Sequence, residues 1–272
     1  MKNATVFALL PDIHLGRHKL VHSPFDALVS RKADVAVGQE LEQRLAAVVD
    51  KINGFEDVQF TISTGDLTES ASSVQLDCVR SILGKLNKPW LPVPGNHDIW
   101  PNTACGCFRT SPAEEVRFDR FRRCFDNEFD RFSHFVSDWD EQAIDFQNIS
   151  FVHNATRFVV VDVVSRKKAP FGLSGTSSLK SFKRPEKEWL REQLSSNETV
   201  KVVVSHFPLN IGLLKKWHHG LHVLGIGSHL HREAFRLRSG ATGLVTGSLY
   251  LRPRILVVKV MGENINIRLV DC

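Results

Sequence analysis

The chain has 272 residues, 42% of them apolar and 24% charged, with a formal net charge of +5 and a pI near 9.0. That is long enough for one large domain with a full core, or two small ones, and the composition is that of an ordinary soluble globular protein. No apolar run approaches the roughly 20 residues needed to cross a bilayer, and the mild positive charge favours anionic partners such as phosphorylated metabolites, nucleotides or nucleic acid.

The first apolar run leads straight into Pro11-Asp12-Ile13-His14. A secretory signal needs an apolar stretch of about 7–15 residues and a small-residue cleavage site. Neither fits, so the expected location is cytoplasmic. Five cysteines (Cys78, Cys105, Cys107, Cys124, Cys272) are an odd number thinly spread, which argues against a disulfide framework. Cys105-Gly-Cys107 with Cys124 lacks a second CxxC or a nearby His pair, so thiols without a special role are preferred to a zinc site.

Thr5–Leu10 and residues 58–63 read as buried strands, each followed by a polar turn. Between them Gln39–Asn53 carries Leu41, Leu45, Val48, Val49 and Ile52 at helical spacing and ends before Gly54. A second helix is expected over residues 72–86, with Val74, Cys78, Ile82 and Leu86 inward. Pro89 stops it, and residues 90–93 form a short strand. This alternation predicts parallel pairing with right-handed crossovers.

Residues from about 100 to 148 differ in character. Phe108, Phe118, Phe121, Phe125, Phe129, Phe132 and Phe135 are interleaved with Arg117, Arg120, Arg122, Arg123 and Arg131. Near-helical spacing of the phenylalanines points to an inserted, mostly helical segment packed on the body, in preference to a surface that grips nucleic acid. Residues 149–152 and 157–164 are expected as a hairpin through His153-Asn154-Ala155, and 165–183 as a surface loop near the site. Pro185 opens a helix. Val200–Val204, residues 221–226, Ala234–Arg238, 244–246, 255–260 and 265–269 complete the strands of a single domain without internal repeats.

Five clusters each follow a predicted strand: Asp12-Ile13-His14, Gly65-Asp66, Gly95-Asn96-His97-Asp98, Ser205-His206 and His229-Leu230-His231. The ends of strands are where an open α/β sheet gathers a site. Singly, each cluster is a weak signal: Asp12-Ile13-His14 reads equally well as a solvated turn, Gly65-Asp66 better as a turn than a ligand, and His206 better as a polar cap. Carboxylate, carboxamide and imidazole together suit divalent Mn, Fe, Zn or Co, while thiolate is missing.

In this order the five clusters resemble the calcineurin-like metallophosphoesterase superfamily over nearly the whole chain. Gly95-Asn96-His97-Asp98 is the most specific element. The resemblance implies an α/β, four-layer αββα sandwich and a centre of two divalent metal ions (Mn, Fe or Zn). Asp12, His14 and His231 would bind one metal, Asn96, His206 and His229 the other, and Asp66 would bridge. Two such metals clamp a phosphoryl group and activate water for attack on phosphorus. His97 would contact the phosphoryl oxygens together with Asn96 and protonate the leaving alkoxide, and Asp98 would orient His97. Arg17 and His18 would line the substrate cleft.

Two positions depart from the family's usual spelling: Ser228 stands where Gly is common, with Gly227 one earlier, and Pro11 precedes Asp12. Serine fits there only if the backbone does not demand positive φ. The segment from Lys215 to His219, with His222, reads as a flap over the site or as a solvated loop. Lys167, Lys168, Lys180, Lys183 and Arg184 read as a basic rim or as solvated surface.

The reaction implied is hydrolysis of a phosphate ester. The spellings Asp-Ile-His-Leu, Thr-Gly-Asp-Leu and Pro-Val-Pro-Gly-Asn-His-Asp are most similar to the small bacterial cyclic-nucleotide phosphodiesterase branch, so the expected substrate is a small, nucleotide-like phosphodiester. A phosphomonoesterase, a nucleotide-diphosphate hydrolase, a nuclease and a metal-binding scaffold without catalysis are the alternatives. A nuclease would need a continuous basic groove, and a scaffold would be expected to lose ligands or His97.

Overall fold

Apolar, β-branched runs form strands here, and the amphipathic stretches between them fold as helices over the outer faces of the resulting sheets. The computed structural model describes residues 4–16, 39–99, 113–142, 148–162, 164, 184–218 and 222–272. Among these the strands, in chain order, are β1 (Thr5–Leu10), β2 (Phe60–Ser63), β3 (Trp90–Leu91), β4 (Ser137–Gln142), β5 (Asn148–His153), β6 (Thr156–Val160), β7 (Val200–Val204), β8 (His222–Gly227), β9 (Ala234–Arg238), β10 (Ala241–Val245), β11 (Arg254–Met261) and β12 (Asn264–Asp271). The helices are α1 (Gln39–Asn53), α2 (Ser73–Leu83), α3 (Asn96–Ile99), α4 (Ala113–Cys124), α5 (Asp126–Phe135), α6 (Arg184–Ser195) and α7 (Ile211–Trp217).

One sheet has the order β12-β11-β1-β2-β3, the other β4-β5-β6-β7-β8-β10-β9. The β1, β2 and β3 strands pair in parallel, as do β6, β7 and β8, as expected for strands joined by helical crossovers. The later strands add antiparallel partners, β11 beside β1 and β9 beside β10, so both sheets are mixed.

Alternation along the central strands assigns each side chain to a layer. Phe158, Val160, Val202 and Val204 belong to the core between the sheets with Phe7 and Phe60, while Val159, Val161 and Val203 pack with Trp189, Leu190 and Leu194 of α6 and Leu214 of α7. Leu45, Val48, Val49 and Ile52 bring α1 onto the outer face of the first sheet. The layers are therefore helix, sheet, sheet, helix: the four-layer sandwich that the resemblance implies. Between the sheets, Phe7 meets Phe158 edge-on at 5.2 Å and Phe158 stacks on Phe151 at 4.8 Å, contacts that add about 0.5–1.5 kcal/mol each beyond burial.

The segment expected as a helical insertion is helical in α4 and α5, and Phe121, Phe125, Phe129 and Phe132 are buried in the main core. Phe132 reaches both sheets, edge-on to Phe60 at 5.6 Å and to Phe151 at 5.1 Å. One arginine serves that packing too, while Arg120, Arg123 and Arg131 are exposed. Arg122 lies over the Phe129 ring at 4.0 Å and pairs with Asp126 and Glu141. The expectation fails for its last part, since β4 pairs antiparallel with β5 as an edge strand. Trp189 Nε1 donates to Asp140 Oδ2 at 2.7 Å and ties β4 down to α6. A charged, exposed strand of this kind gives no apolar alternation to read.

Two more expectations change. The buried stripe of α2 is Leu76, Val79, Ile82 and Leu83, and Val74 is 65% exposed. The cap at Ser72 and the bond from Ser70 N to Gln75 Oε1 set the helix phase, turning Leu76 and Val79 inward. The residues just before His218 form α7, capped by Asn210 and packed through Leu214, so they make neither a flap nor a solvated loop. Phe108, Cys105, Cys107, the 165–183 loop with its lysines, and His219 lie outside the described residues. Arg184 is exposed and paired with Glu188.

Candidate metal centre

The parallel register of β1 and β2 does not stop where the strands end. Leu10 is opposite Ser63, and beyond the strands Leu15 still bridges Thr68 at the same offset. Leu15 N donates to Leu67 O and Glu69 N to Leu15 O, while Ile13 N and His14 N both donate to Asp66 O. The loop carrying Asp12 and His14 is thereby fixed beside the loop carrying Asp66. The loop after β3 joins through Asp98, which is fully buried. Its Oδ2 accepts from Leu67 N and Gly95 N, and its Oδ1 from Thr68 N and Thr68 Oγ1. This corrects the role expected of Asp98. It anchors the turns of two candidate ligands, and the orientation of His97 comes from Glu69, whose backbone oxygen accepts from His97 Nδ1–H at 2.9 Å.

The second sheet contributes from the ends of β7 and β8. His206 Nδ1–H donates to Thr64 O at 2.9 Å, turning Nε2 toward Asn96 Oδ1 at 2.9 Å and Asp66 Oδ2 at 3.3 Å. Ser228 is outside the positive-φ region, and its Oγ donates to Thr64 O at 2.6 Å. The residue that must be small is Gly227, where a β-carbon would stand 2.6 Å from Pro208 Cα. Serine before His-x-His is thus accommodated.

Three groups of donor atoms result among the described residues. Asp12, His14, Asp66 and His231 converge in the first, Asp66, His206 and His229 in the second, and His14, Glu69 and His97 form a third toward the rim. Asp66 belongs to both of the first two. In the first group His14 Nε2 stands 3.0 Å from His231 Nε2, and His231 Nε2 stands 3.3 Å from Asp12 Oδ2. In the second, Asn96 joins through His206, and His229 N donates to Asp12 Oδ2 at 3.0 Å. His14, Asp66, His229 and His231 all adopt positive φ, between 50° and 64°. His97 sits at the rim, 21% exposed, with its backbone N donating to Asp66 Oδ1 at 2.8 Å. All seven expected ligands and His97 are thus gathered at one end of the sandwich. Arg17 and His18 lie outside the described residues.

The electrostatics are those of a site built around positive charge. Burial pushes the Asp12 carboxyl up to about 7, with Asp66 adding to the rise and His206 opposing it. Burial also works against ionised Asp66, but His206, His97 and His14 outweigh it and hold the group well below the usual carboxylate range. For His206 burial disfavours the cation, yet Asp66 and Asp12 outweigh it and raise the group to about 9. Burial pushes His14 down, and burial together with Asp66 pushes Asp98 up to about 6. Asp12 Oδ1 and Asp66 Oδ2 are buried carboxylate oxygens without a hydrogen-bond donor, an expensive state that a cation relieves. Mixed oxygen and imidazole donors with an orphaned carboxylate oxygen in each of the first two groups fit divalent transition metals.

Two residues of the centre carry no signal among the five clusters. Glu69 Oε2 accepts from His14 Nδ1 at 2.8 Å. The Tyr250 hydroxyl lies 3.0 Å from His231 Nδ1, on the loop between β10 and β11. Continuing the β1–β2 register past the strands would have pointed to Glu69. Nothing in the local sequence singles out Tyr250 beyond its being the only tyrosine.

A family model described as calcineurin-like phosphoesterase matches residues 5–246. The chain belongs to that family. Among solved structures, this calcineurin-like phosphoesterase is similar to the purple acid phosphatase PPD1 from yellow lupin (Lupinus luteus) seeds, with TM-score 0.54 and 10% identity over 100% of this chain and 52% of that one. It is also similar to the sulfate thiohydrolase SoxB of Thermus thermophilus, with TM-score 0.50 and 11% identity over 98% and 56%. The chain spans about half the length of each, and at such identities the likeness is one of fold. No curated protein matches this phosphoesterase. No helix among the described residues is long and apolar enough to cross a membrane.

Proposed function

We propose that the protein is a two-metal phosphodiesterase acting on a small nucleotide-like substrate, with a cyclic nucleotide as the first candidate. The observation that carries the two-metal reading is Asp66, one buried carboxylate shared between two groups of donor atoms. Asp12, His14 and His231 would hold one ion, Asn96, His206 and His229 the other, with Asp66 between them. Bound there, divalent ions of the Mn, Fe or Zn kind would supply Lewis-acid charge to the phosphoryl oxygens and acidify the attacking water.

The chain's own residues do the rest. His97 Nδ1–H is held by the Glu69 carbonyl, which leaves Nε2 as the position that holds a proton and passes it to the departing alkoxide oxygen. The position at the rim, partly exposed, suits a group that must reach substrate and recharge from solvent. Asp98, through its four bonds, keeps Asn96 and Asp66 in register while this happens.

The diester preference rests on motif spelling, and substrate choice in this fold resides in loops. Phosphomonoester and nucleotide-diphosphate hydrolysis are the second reading. A nuclease is disfavoured because Phe121, Phe125, Phe129 and Phe132 are core and so not available for stacking on bases. The test is hydrolysis of bis-p-nitrophenyl phosphate and p-nitrophenyl phosphate by metal-stripped protein, with and without Mn²⁺. Manganese-dependent cleavage of the diester is expected, and cleavage of the monoester alone would make the protein a phosphatase. With two ions bound and neither ester cleaved, the reading moves to a scaffold, and with no ion bound it fails. His97→Ala should keep its metals and lose about 10²–10⁴-fold in kcat.

A further inference from the structure

Ser72 caps α2, and Gln75 stands three residues later, where a glutamine ordinarily closes back on the N–H of its own cap. Here the side chain goes further. Gln75 Oε1 accepts from Ser70 N and Ser70 Oγ, each at 3.0 Å, so both lone pairs of the carboxamide oxygen serve one residue of the loop after β2. Gln75 is 3% exposed, and a carboxamide is kept in so dry a place only where it is bonded. From the other side Gly16 closes on it. A β-carbon there would stand 2.0 Å from Gln75 Nε2 and 2.5 Å from its Cδ, and the glycine holds φ +99°. The carboxamide is thus wedged between the loop that follows β1 and the loop that follows β2.

The bond to Ser70 N matters for what lies across the same peptide unit. The β1–β2 register runs past the strands as far as Glu69, whose N donates to Leu15 O at 2.9 Å. The peptide joining Glu69 to Ser70 comes next, beyond that ladder. Its C=O is the group that faces His97 Nδ1 at 2.9 Å, and its N–H is the group that Gln75 holds. This peptide is trans, hence planar with its N–H and C=O on opposite sides. The plane acts as a lever: fixing the N–H fixes the C=O, and releasing one lets the other turn away from the imidazole. Ala71, next in the turn, holds φ +52°, a left-handed conformation that alanine disfavours, so this is a turn that relaxes when its bonds are removed.

We infer that Gln75 is a positioning residue for His97, acting through the Glu69–Ser70 peptide. This deepens the function proposed above and rests on its assignment of His97 to the leaving oxygen. The His97 side chain is 21% exposed, so packing holds the ring less firmly than it holds a core side chain, and the direction of the Glu69 carbonyl sets where the ring points. Gln75 stabilises that direction from a buried helix position, one peptide plane away from the imidazole. The same carboxamide, pressed on Gly16, ties this seat to the loop that carries Asp12 and His14.

The experiment is steady-state hydrolysis of diphenyl phosphate with Mn²⁺ by the full chain, comparing wild type, Gln75→Met, His97→Ala and the double variant. Bound metal is counted in parallel by mass spectrometry of the native protein. Methionine keeps the length and bulk of glutamine and removes the acceptor oxygen, and the phenoxide leaving group is basic enough to need the group at His97. Gln75→Met is expected to lower kcat by about 10–100-fold, with KM and both metal ions unchanged. It should cost nothing further once His97 is alanine, since two residues acting in one line are not additive. Gln75→Asn, one methylene shorter, draws its oxygen back from Ser70 and should behave the same, and it serves where the methionine variant does not fold. Wild-type kcat in the Gln75 variants, a loss that multiplies with that of His97→Ala, or a loss of metal overturns the inference and leaves the function proposed above standing. Wild-type kcat in His97→Ala overturns the assignment of His97 and the inference with it. Wild type that binds two ions and leaves the ester intact overturns the diesterase reading itself.

Discussion

Gly95 and Asp66 approach so closely that a β-carbon on Gly95 would stand 2.0 Å from the Asp66 amide nitrogen and 2.2 Å from its Oδ1. The second and third ligand loops of the parallel strands can meet only because one side chain is missing. Gly95→Ala should therefore displace the shared carboxylate. The expected outcome is a folded protein, less stable by about 1–3 kcal/mol as for other overpacked sites, that binds at most one metal ion. Metal content by mass spectrometry of the native protein checks this, and two ions retained at wild-type affinity would contradict it.

Asp98 and His97 are neighbours in sequence with separate duties, and substitutions should separate them. Asp98→Ala leaves Leu67 N, Thr68 N and Gly95 N without their acceptor in a buried place, at about 1–3 kcal/mol for each unsatisfied group. It should lower the urea midpoint markedly and weaken metal binding. His97→Ala should do neither and slow turnover alone. If both variants lost only turnover, Asp98 would be acting through His97 after all.

Glu198 gives the pH dependence a sign. Burial works against its charge, but the hydrogen bonds from Arg157 and Ser196 outweigh that and bring it from 4.5 down to about 2. Arg157 grips it with two bonds of 3.0 Å. A folded value below the unfolded one means that the stabilisation is fully present above about 4.5 and is lost as the pH falls through about 2. Glu198→Gln should be less stable than wild type at neutral pH by about 1–3 kcal/mol. The gap should close as acid is added over that window, as followed by urea titrations at several pH values. A gap constant down to acid pH would assign the effect to packing.

Phe132 joins α5 to both sheets through Phe60 and Phe151. Phe132→Ala should cost about 3–5 kcal/mol while the surviving folded fraction keeps its metal content, measured by thermal unfolding alongside metal analysis. A stable variant with impaired substrate binding would revive a surface role for the aromatic segment.

The sequence made the site more legible than the fold around it. Asp12, His14, Asp66, Asn96, His206, His229 and His231 lie in short motifs at strand ends, where local spelling and chain order carry the information. Central strands such as β1 and β7 announce themselves by short, largely apolar runs that are buried throughout. What was misread depends on partners distant in sequence. The β4 strand is polar because it lies at a sheet edge, and the inward face of α2 is set by a cap and a glutamine turned back on Ser70. Glu69 and Tyr250 are ordinary residues until the register of β1 with β2, and the bond from Leu249 to Asp12, bring them against histidines. Asp98 follows a related logic, since adjacency to His97 in sequence suggests contact while backbone amides of the loop after β2 and of its own turn claim the carboxylate.

His14, Asp66, His229 and His231 hold left-handed backbone conformations, which cost a residue with a β-carbon roughly 1 kcal/mol or more apiece. At these four positions folding and chemistry choose different amino acids. Glycine would relax the chain at each of them and would also delete a donor to the metal centre. Selection for thermostability alone, with no demand for turnover, would therefore be expected to erode the centre from these positions first. A relative bearing glycine there would be recognisable as one that has given up the reaction while keeping the sandwich.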